Sequence, residues 1–233
     1  MKKKVGGYYH IYNRGVDKRS IFENDADRWR FLQALGLFNC KKTREKVLWK
    51  LETQKDGANM KTLRSYLSDG NNEPLVALMA DCLMANHYHL ILKEIAEDGI
   101  AKFMQKIGTS YTMYFNKKNN RTGSLFQGSY KSVKIDNDLY LQYLLVYINV
   151  INPAEIIQPD LKERGVRDLE KIMNFASDYR WSTHKEFLQI RDSFIIDKDV
   201  LGNIFNDPEK YREFCKTVLQ SKKYKQIEYL TLE

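Results

Sequence analysis

Leu83-Met84-Ala85-Asn86-His87-Tyr88-His89-Leu90-Ile91-Leu92 decides how this chain is read. On a β-strand, successive side chains point to opposite faces. Tyr88, Leu90 and Leu92 then share one face, and His87 and His89 project together from the other. Only four histidines occur in 233 residues, and two of them are this pair. Two neutral imidazoles facing the same way can share one divalent ion. The same spacing also suits a partly buried structural pair, because short motifs recur by chance. The rest of the chain has to decide between them.

The charge is concentrated rather than spread. Lys and Arg exceed Asp and Glu by 8, yet no acid occurs from Gly99 to Ile135, where Lys102, Lys106, Lys117, Lys118, Arg121, Lys131 and Lys134 stand. Tyr111, Tyr114, Phe115, Phe126 and Tyr130 interleave with them. Cations follow a phosphate backbone and aromatic rings stack on unpaired bases, so the segment suits single-stranded nucleic acid. For Tyr111, Tyr114 and Phe115, core packing on a helix is at least as good a reading. The most apolar run, Leu139 to Ile151, is too short for a bilayer and is interrupted by Gln142 and Asn149, so no membrane is expected. Cys40, Cys82 and Cys215 have neither zinc nor disulfide spacing, and the chain reads as cytoplasmic.

Outward from the histidines, the pattern alternates strands and helices. Tyr8 to Asn13 reads as a first strand, with a turn at Arg14-Gly15-Val16-Asp17. Asn24-Asp25 caps a helix over 26–38. Short helices are expected at 45–53 and 60–67, with a turn at 69–72. Leu75–Ala80 and Leu83–Leu92 are strand material, taken together as one long interrupted strand. A helix over 100–115, a basic loop and a strand over 130–135 follow. Asp136-Asn137-Asp138 caps a helix from Leu139 that Asn152-Pro153 should stop, with Tyr140, Tyr143, Leu144, Tyr147 and Ile151 on one face. A helical segment at 162–175, the cluster Tyr179-Arg180-Trp181-Ser182 and a helical tail opened by Asp207-Pro208-Glu209 complete the chain. This is an α+β pattern with helices packed on an antiparallel sheet.

A metal held beside single-stranded nucleic acid needs a nucleophile, and the chain holds fifteen tyrosines. A phenol ionises with a pKa near 10 and needs help from a base or a metal. A phenolate leaves more readily than an alkoxide, so a phosphotyrosine link suits strand transfer better than hydrolysis.

Several blocks, in order, resemble the REP-associated tyrosine transposases, a branch of the single-tyrosine HUH nucleases in the IS200-like superfamily. Tyr9-His10-Ile11-Tyr12-Asn13-Arg14-Gly15, Ile21-Phe22 and Asp27-Arg28-Trp29-Arg30-Phe31-Leu32 are similar to its opening strand and first helix. Leu83 to Leu90 resembles its histidine motif. Tyr111 to Asn116 and Arg121 to Gly128 resemble its central basic loop. Tyr147-Ile148 before Asn152-Pro153 resembles its nucleophile helix, and Tyr179 to Ser182 a later block. The likeness covers residues 8–37 and 75–184.

That resemblance implies a ferredoxin-like sheet with flanking helices and a helical C-terminal extension. It divides the chain into a domain over 1–184, with an insertion at 40–73, and an extension over 185–233. It implies single-stranded or hairpin DNA as partner and Mg²⁺ or Mn²⁺ as cofactor, and it leaves a homodimer open. Tyr147 would attack a phosphodiester to give a 5′-phosphotyrosyl enzyme and a free 3′-OH. His87 and His89 would be metal ligands with Asn152 as the third, and Asn13, Arg14, Lys18, Arg19, Lys117, Lys118, Arg121, Lys131 and Lys134 would contact DNA.

The chain departs from the family where Ala85 replaces a proline. It departs again where Asn152 follows Tyr147 by five residues instead of four. On an α-helix five residues turn the side chain about 140° away, and a π-bulge would absorb the difference. Tyr143 is the rival nucleophile, and core packing is the preferred reading for it and for Tyr140. His10 is expected to be structural and His184 to lie on the surface. The competing function is a domesticated binder of structured DNA or RNA that no longer cleaves.

Overall fold

Tyr9 and Ile11 alternate with His10, Tyr12 and Arg14, and this alternation sets two different faces of one sheet. The computed structural model describes residues 5–41, 64 and 73–230. β1 (Tyr8–Arg14), α1 (Asp25–Phe38), β2 (Val76–Leu83), β3 (His87–Glu94), α2 (Gly99–Lys118) and β4 (Lys131–Ile135) follow one another. The sheet order is β2-β3-β1-β4 with every neighbour antiparallel. This is the α+β pattern read from the alternation and the ferredoxin-like arrangement that the family resemblance implies. Beyond it come α3 (Asp138–Val146), a π-helical turn (Tyr147–Ile151), α4 (Asn152–Ala154), α5 (Leu161–Arg164), α6 (Leu169–Asp178), α7 (His184–Phe187), α8 (Asp199–Ile204), α9 (Pro208–Ser221) and a 3₁₀ segment (Lys223–Leu230).

Each face of the sheet has its own core. Tyr9, Ile11, Tyr88, Leu90 and Leu92 pack with Phe31 and Leu35 of α1 and Phe103, Ile107 and Tyr111 of α2. On the opposite face Ala80, Cys82, Ile91 and Ile135 meet Leu141, Leu144 and Ile148, together with Tyr211, Cys215 and Val218 of α9. Because both faces are covered, all eight residues of β2 are buried, which is why that strand reads as an apolar run. The free edge of β2 is partly covered too: Leu83 N–H donates to Trp181 O at 2.8 Å and Thr183 N–H to Asp81 O at 3.0 Å, which shields the edge from other strands.

Local signals explain most boundaries. Asn24 accepts from Asp27 N–H while the Asp27 side chain returns to the Asn24 backbone, a capping box that starts α1. Asn137 caps α3 and Asp207 caps α9, with Pro208 in the first turn. Gly15 N–H donates to Asn86 O at 2.9 Å. A Cβ at Gly15 would collide with the Arg19 carbonyl and the Ile21 side chain, so the turn after β1 requires glycine.

Four expectations are corrected. The two apolar runs at 75–92 form not one strand but a hairpin, closed by Met84 N–H donating to His87 O at 2.9 Å. An apolar run does not reveal where a chain reverses, and here the Ala85 and Asn86 carbonyls are held by Ile21, Phe22 and Gly15. The helix from Asp138 does not stop at Asn152-Pro153 but continues through the π-turn into α4. Pro153 there stands in the first turn of a new α segment, where a missing N–H costs little. The segment expected at 162–175 is split at Gly165, whose φ of +85 ends α5. His184 is fully buried, its Nδ1 2.9 Å from Tyr211 Oη, because α9 packs over it. Burial, then Arg212 and Lys185, push its pKa down to about 3, so the ring is neutral. Apart from residue 64, the short helices and turn expected at 45–72 lie outside the described residues.

Burial pushes the Asp81 carboxyl up to about 7, with Glu186 adding to the rise and Arg191 opposing it. The folded chain therefore keeps a proton that the unfolded chain loses near 3.8. Asp81 thus removes stability as pH rises from about 4 to about 7. Urea unfolding at fixed pH should show Asp81→Asn gaining on the parent protein across this window and holding a constant difference above it. A difference independent of pH would contradict the assignment.

Candidate active site

The β1–β3 register pairs Tyr12 with His89 and Arg14 with His87, so His10, Tyr12 and Arg14 share a face with both histidines. The His87 and His89 rings lie 5.0 Å apart at 85°. In each ring Nδ1 is already engaged: His87 Nδ1 lies 2.7 Å from Asn86 Oδ1, and His89 Nδ1 2.8 Å from His10 Nε2. Nε2 is then the nitrogen of each ring that suits a metal ion, with the contact at Nδ1 fixing ring orientation. His10, expected to be structural, is the group behind His89. Its ring stacks 5.0 Å from His89 and 4.9 Å from Tyr12.

The helix that follows the sheet brings up the tyrosine. The Tyr147 ring meets the His89 ring edge-on at 5.9 Å. Tyr143 stacks on Phe214 at 6.0 Å and is packed in the second core, as expected, and Tyr147 is buried in that same core. After Tyr147 the helix widens, and Asn152 N–H donates to the Tyr147 carbonyl, five residues back. Asn152 therefore sits one wide turn beyond Tyr147 instead of 140° around the helix, which is how a π-turn takes up the extra residue. Its side chain is fully buried, and neither Oδ1 nor Nδ2 has a hydrogen-bond partner in the protein. A buried carboxamide in this state is costly unless something else satisfies it. Imidazole nitrogen and amide oxygen are donor types that suit a divalent ion. Among the described residues no group of three or more His, Cys, Asp or Glu is placed to hold one.

A cleft of about 360 Å³ opens beside the histidines, with Arg14 and Lys131 as its cations. One wall is the end of the basic loop, Gln127–Ser129. Asn13 Nδ2 donates to Gly128 O at 3.0 Å, and Gln127 N–H to Arg14 O at 2.9 Å, so strand and loop are tied together.

The other residues expected to contact DNA lie elsewhere. Lys18 and Arg19 belong to the exposed turn after β1, where Asn86 Nδ2 donates to Lys18 O at 3.2 Å. Lys134 is on the opposite side of β4 from Lys131 and pairs with Asp136. Lys117 and Arg121 line a second cavity of about 830 Å³ with Arg30 and Lys106.

Two residues escaped the sequence reading. His10 carried a signal, since it alternates with Tyr12 and Arg14. Lys162 carried none: its Nζ donates to Tyr147 Oη at 2.7 Å from fifteen residues away, across a loop whose path no local pattern describes.

Comparison with known proteins gives three findings. The family described as "Transposase IS200 like" matches residues 32–150, just over half of the chain, a span that includes His87, His89 and Tyr147 and ends short of Asn152. One solved structure, described as "Structure of the REP associates tyrosine transposase bound to a REP hairpin", aligns with 83% of this chain and 93% of its own at 13% identity and a TM-score of 0.45. No curated protein sequence matches the chain.

Lys118 sits at the surface but is paired. Its ammonium donates to both oxygens of Asp27 at 2.8 Å and to Glu23 at 3.2 Å. Burial alone would raise the pKa of Asp27, but hydrogen bonds from Lys118, Tyr114 and the Glu23 N–H outweigh it and hold the carboxyl below its ordinary value. Asp27 is fully buried, so Lys118→Met strands a buried carboxylate. Urea unfolding at pH 7 should register a loss of about 3 kcal/mol. A loss below about 0.5 kcal/mol, the range of an exposed pair, would contradict the buried role.

Proposed function

The chain belongs to the IS200-like transposase family, and from that membership and the arrangement around His89 we propose a metal-dependent single-stranded DNA endonuclease and strand transferase of the REP-associated kind. The observation that carries the proposal is the Tyr147 ring against His89, with a π-turn that keeps the orphaned Asn152 amide close by in the same helix.

In this reading Tyr147 is the nucleophile. His87 and His89 would hold the ion, with Asn152 as the third donor and Mg²⁺ or Mn²⁺ as the cofactor. Imidazole favours Mn²⁺ of the two. A divalent ion bound there would supply Lewis-acid polarisation of a non-bridging phosphate oxygen. His10 keeps the His89 ring in place through Nδ1. Arg14 and Lys131 take the phosphates flanking the scissile bond, and Asn13 fixes the loop wall beside them. Lys18, Arg19, Lys117, Arg121 and Lys134 extend the positive surface along which a hairpin and its single-stranded flank would lie. Attack by Tyr147 Oη gives a 5′-phosphotyrosyl link and a free 3′-OH, and the link retains the bond energy for rejoining.

Labelled single-stranded DNA carrying a hairpin, incubated with Mn²⁺ and run on a denaturing gel, should give a covalent protein–DNA band. Tyr147→Phe should abolish it, whereas Tyr143→Phe should retain it. DNA bound by the parent protein with no covalent band would point instead to a binder that does not cleave.

Asn152→Ala should raise the Mn²⁺ concentration for half-maximal adduct formation by about tenfold or more while leaving hairpin affinity in EDTA unchanged. An unchanged Mn²⁺ requirement would remove Asn152 from the ligand set.

A further inference from the structure

We propose that Lys162 is a catalytic residue that stabilises negative charge on the Tyr147 oxygen as it enters and leaves the phosphodiester. The proposal rests on the reading of Tyr147 as nucleophile. The family match ends at residue 150, twelve residues short of this lysine.

The geometry is specific to the oxygen. Lys162 Nζ lies 2.7 Å from Tyr147 Oη and 4.7 Å from the centre of the Tyr147 ring. An ammonium only donates, so Oη is the acceptor, and it meets the phenol where charge develops. Two contacts fix the lysine there. Glu155 Oε2 lies 3.0 Å from Nζ, and Glu155 follows α4 directly, its N–H bonded to the Ile151 and Asn152 carbonyls. The carboxylate that aims Lys162 is therefore mounted on the same helix as the nucleophile. Lys162 itself rises from α5, anchored by the buried Leu161, whose carbonyl accepts from Tyr224 Oη at 3.3 Å. A second tie closes the loop that leads to α5: Gln158 Nε2 donates to Gly165 O at 2.8 Å.

The step balances without any further reactant. The phenolic proton leaves to water, and the oxygen lone pair forms the P–Oη bond. The P–O3′ bond breaks with its pair on O3′, which takes a proton from water. Lys162 keeps its protons throughout. In rejoining, O3′ attacks and the phenolate departs towards the same ammonium. A donor placed in advance at a developing oxyanion contributes about 10²–10³ in rate.

Full-length protein, Mn²⁺ and saturating hairpin DNA in single turnover provide the test. Lys162→Met should form the covalent adduct about 10²-fold more slowly, with hairpin affinity and melting midpoint unchanged. Lys162→Arg should recover to within about tenfold, because guanidinium keeps the charge with altered reach. Should Lys162→Met melt early, Lys162→Arg and Glu155→Gln carry the reading, each slower than the parent protein at equal DNA affinity.

A substrate with sulfur at the 3′ bridging position separates the two ends of the reaction, because a thiolate leaves without protonation. The Lys162→Met defect should persist on it. A defect that vanishes there would move Lys162 to the leaving group and overturn the proposal, as would Lys162 variants as fast as the parent protein or faster. An adduct formed by Tyr147→Phe would overturn both this proposal and the nucleophile reading. Loss of the adduct in Tyr147→Phe beside full-rate Lys162→Met would overturn this one alone.

Discussion

The pairing of β1 with β3 is the constraint from which the candidate site follows. Tyr12 opposite His89 and Arg14 opposite His87 place a ring beside one imidazole and a cation beside the other. The side-chain period of a strand is two, so a slip of one residue would carry both histidines into the core of Phe31 and Tyr111 and turn Tyr88 and Leu90 out. The apolar residues thus enforce the register that serves the polar ones. The two central strands carry almost all of the site's rings, and α1 and α2 lock them from behind. Tyr147, Asn152 and Lys162 come from outside the sheet, as does the loop wall at Gln127–Ser129.

Their delivery depends on a wide helical turn, and wide turns need support. Asn149, inside the π-turn, is buried and makes two side-chain bonds. It donates to Tyr211 Oη at 3.1 Å and accepts from Thr183 Oγ1 at 2.9 Å. Tyr211 in turn reaches His184, which burial keeps neutral. A network in which Asn149, Thr183 and Tyr211 are all engaged stiffens the surrounding backbone. It ties the turn to α9 on one side and to the β2 edge on the other. The C-terminal helix thereby shares the core that holds the Tyr147 helix in place.

The sequence made the sheet and its histidine face legible because alternation and capping are local. Asn24, Asn137 and Asp207 each announce a helix within three residues of its start, and His-Tyr-His announces a strand by itself. What stayed hidden was set by contacts distant in sequence. The reversal at Met84–Asn86 is held by the 15–22 segment, which no alternating pattern can signal. The burial of His184 depends on α9, and the place of Lys162 depends on how the 155–161 segment folds back. Asn152 falls between these cases. Its spacing from Tyr147 stated the problem, and a π-turn was the one local device able to solve it, but only the packed helix shows the i to i+5 bond.

Charge obeys the same division between composition and placement. The acid-free stretch from 99 to 135 reads as one basic block, yet folding distributes it. Lys118 is spent on Asp27, Lys134 faces away from the histidines, and Lys117 and Arg121 gather at the far end of α2. Close to the imidazoles the cleft has only Arg14 and Lys131. Cations in a cleft can act at hydrogen-bond range on particular anionic groups, while the others act through a field that salt screens within about 10 Å. On the proposed reading, the charge near the scissile bond would position a strand, and elsewhere it would attract one. A net charge of +8 could not have made that distinction, because it depends on which lysines find carboxylates once the chain has folded.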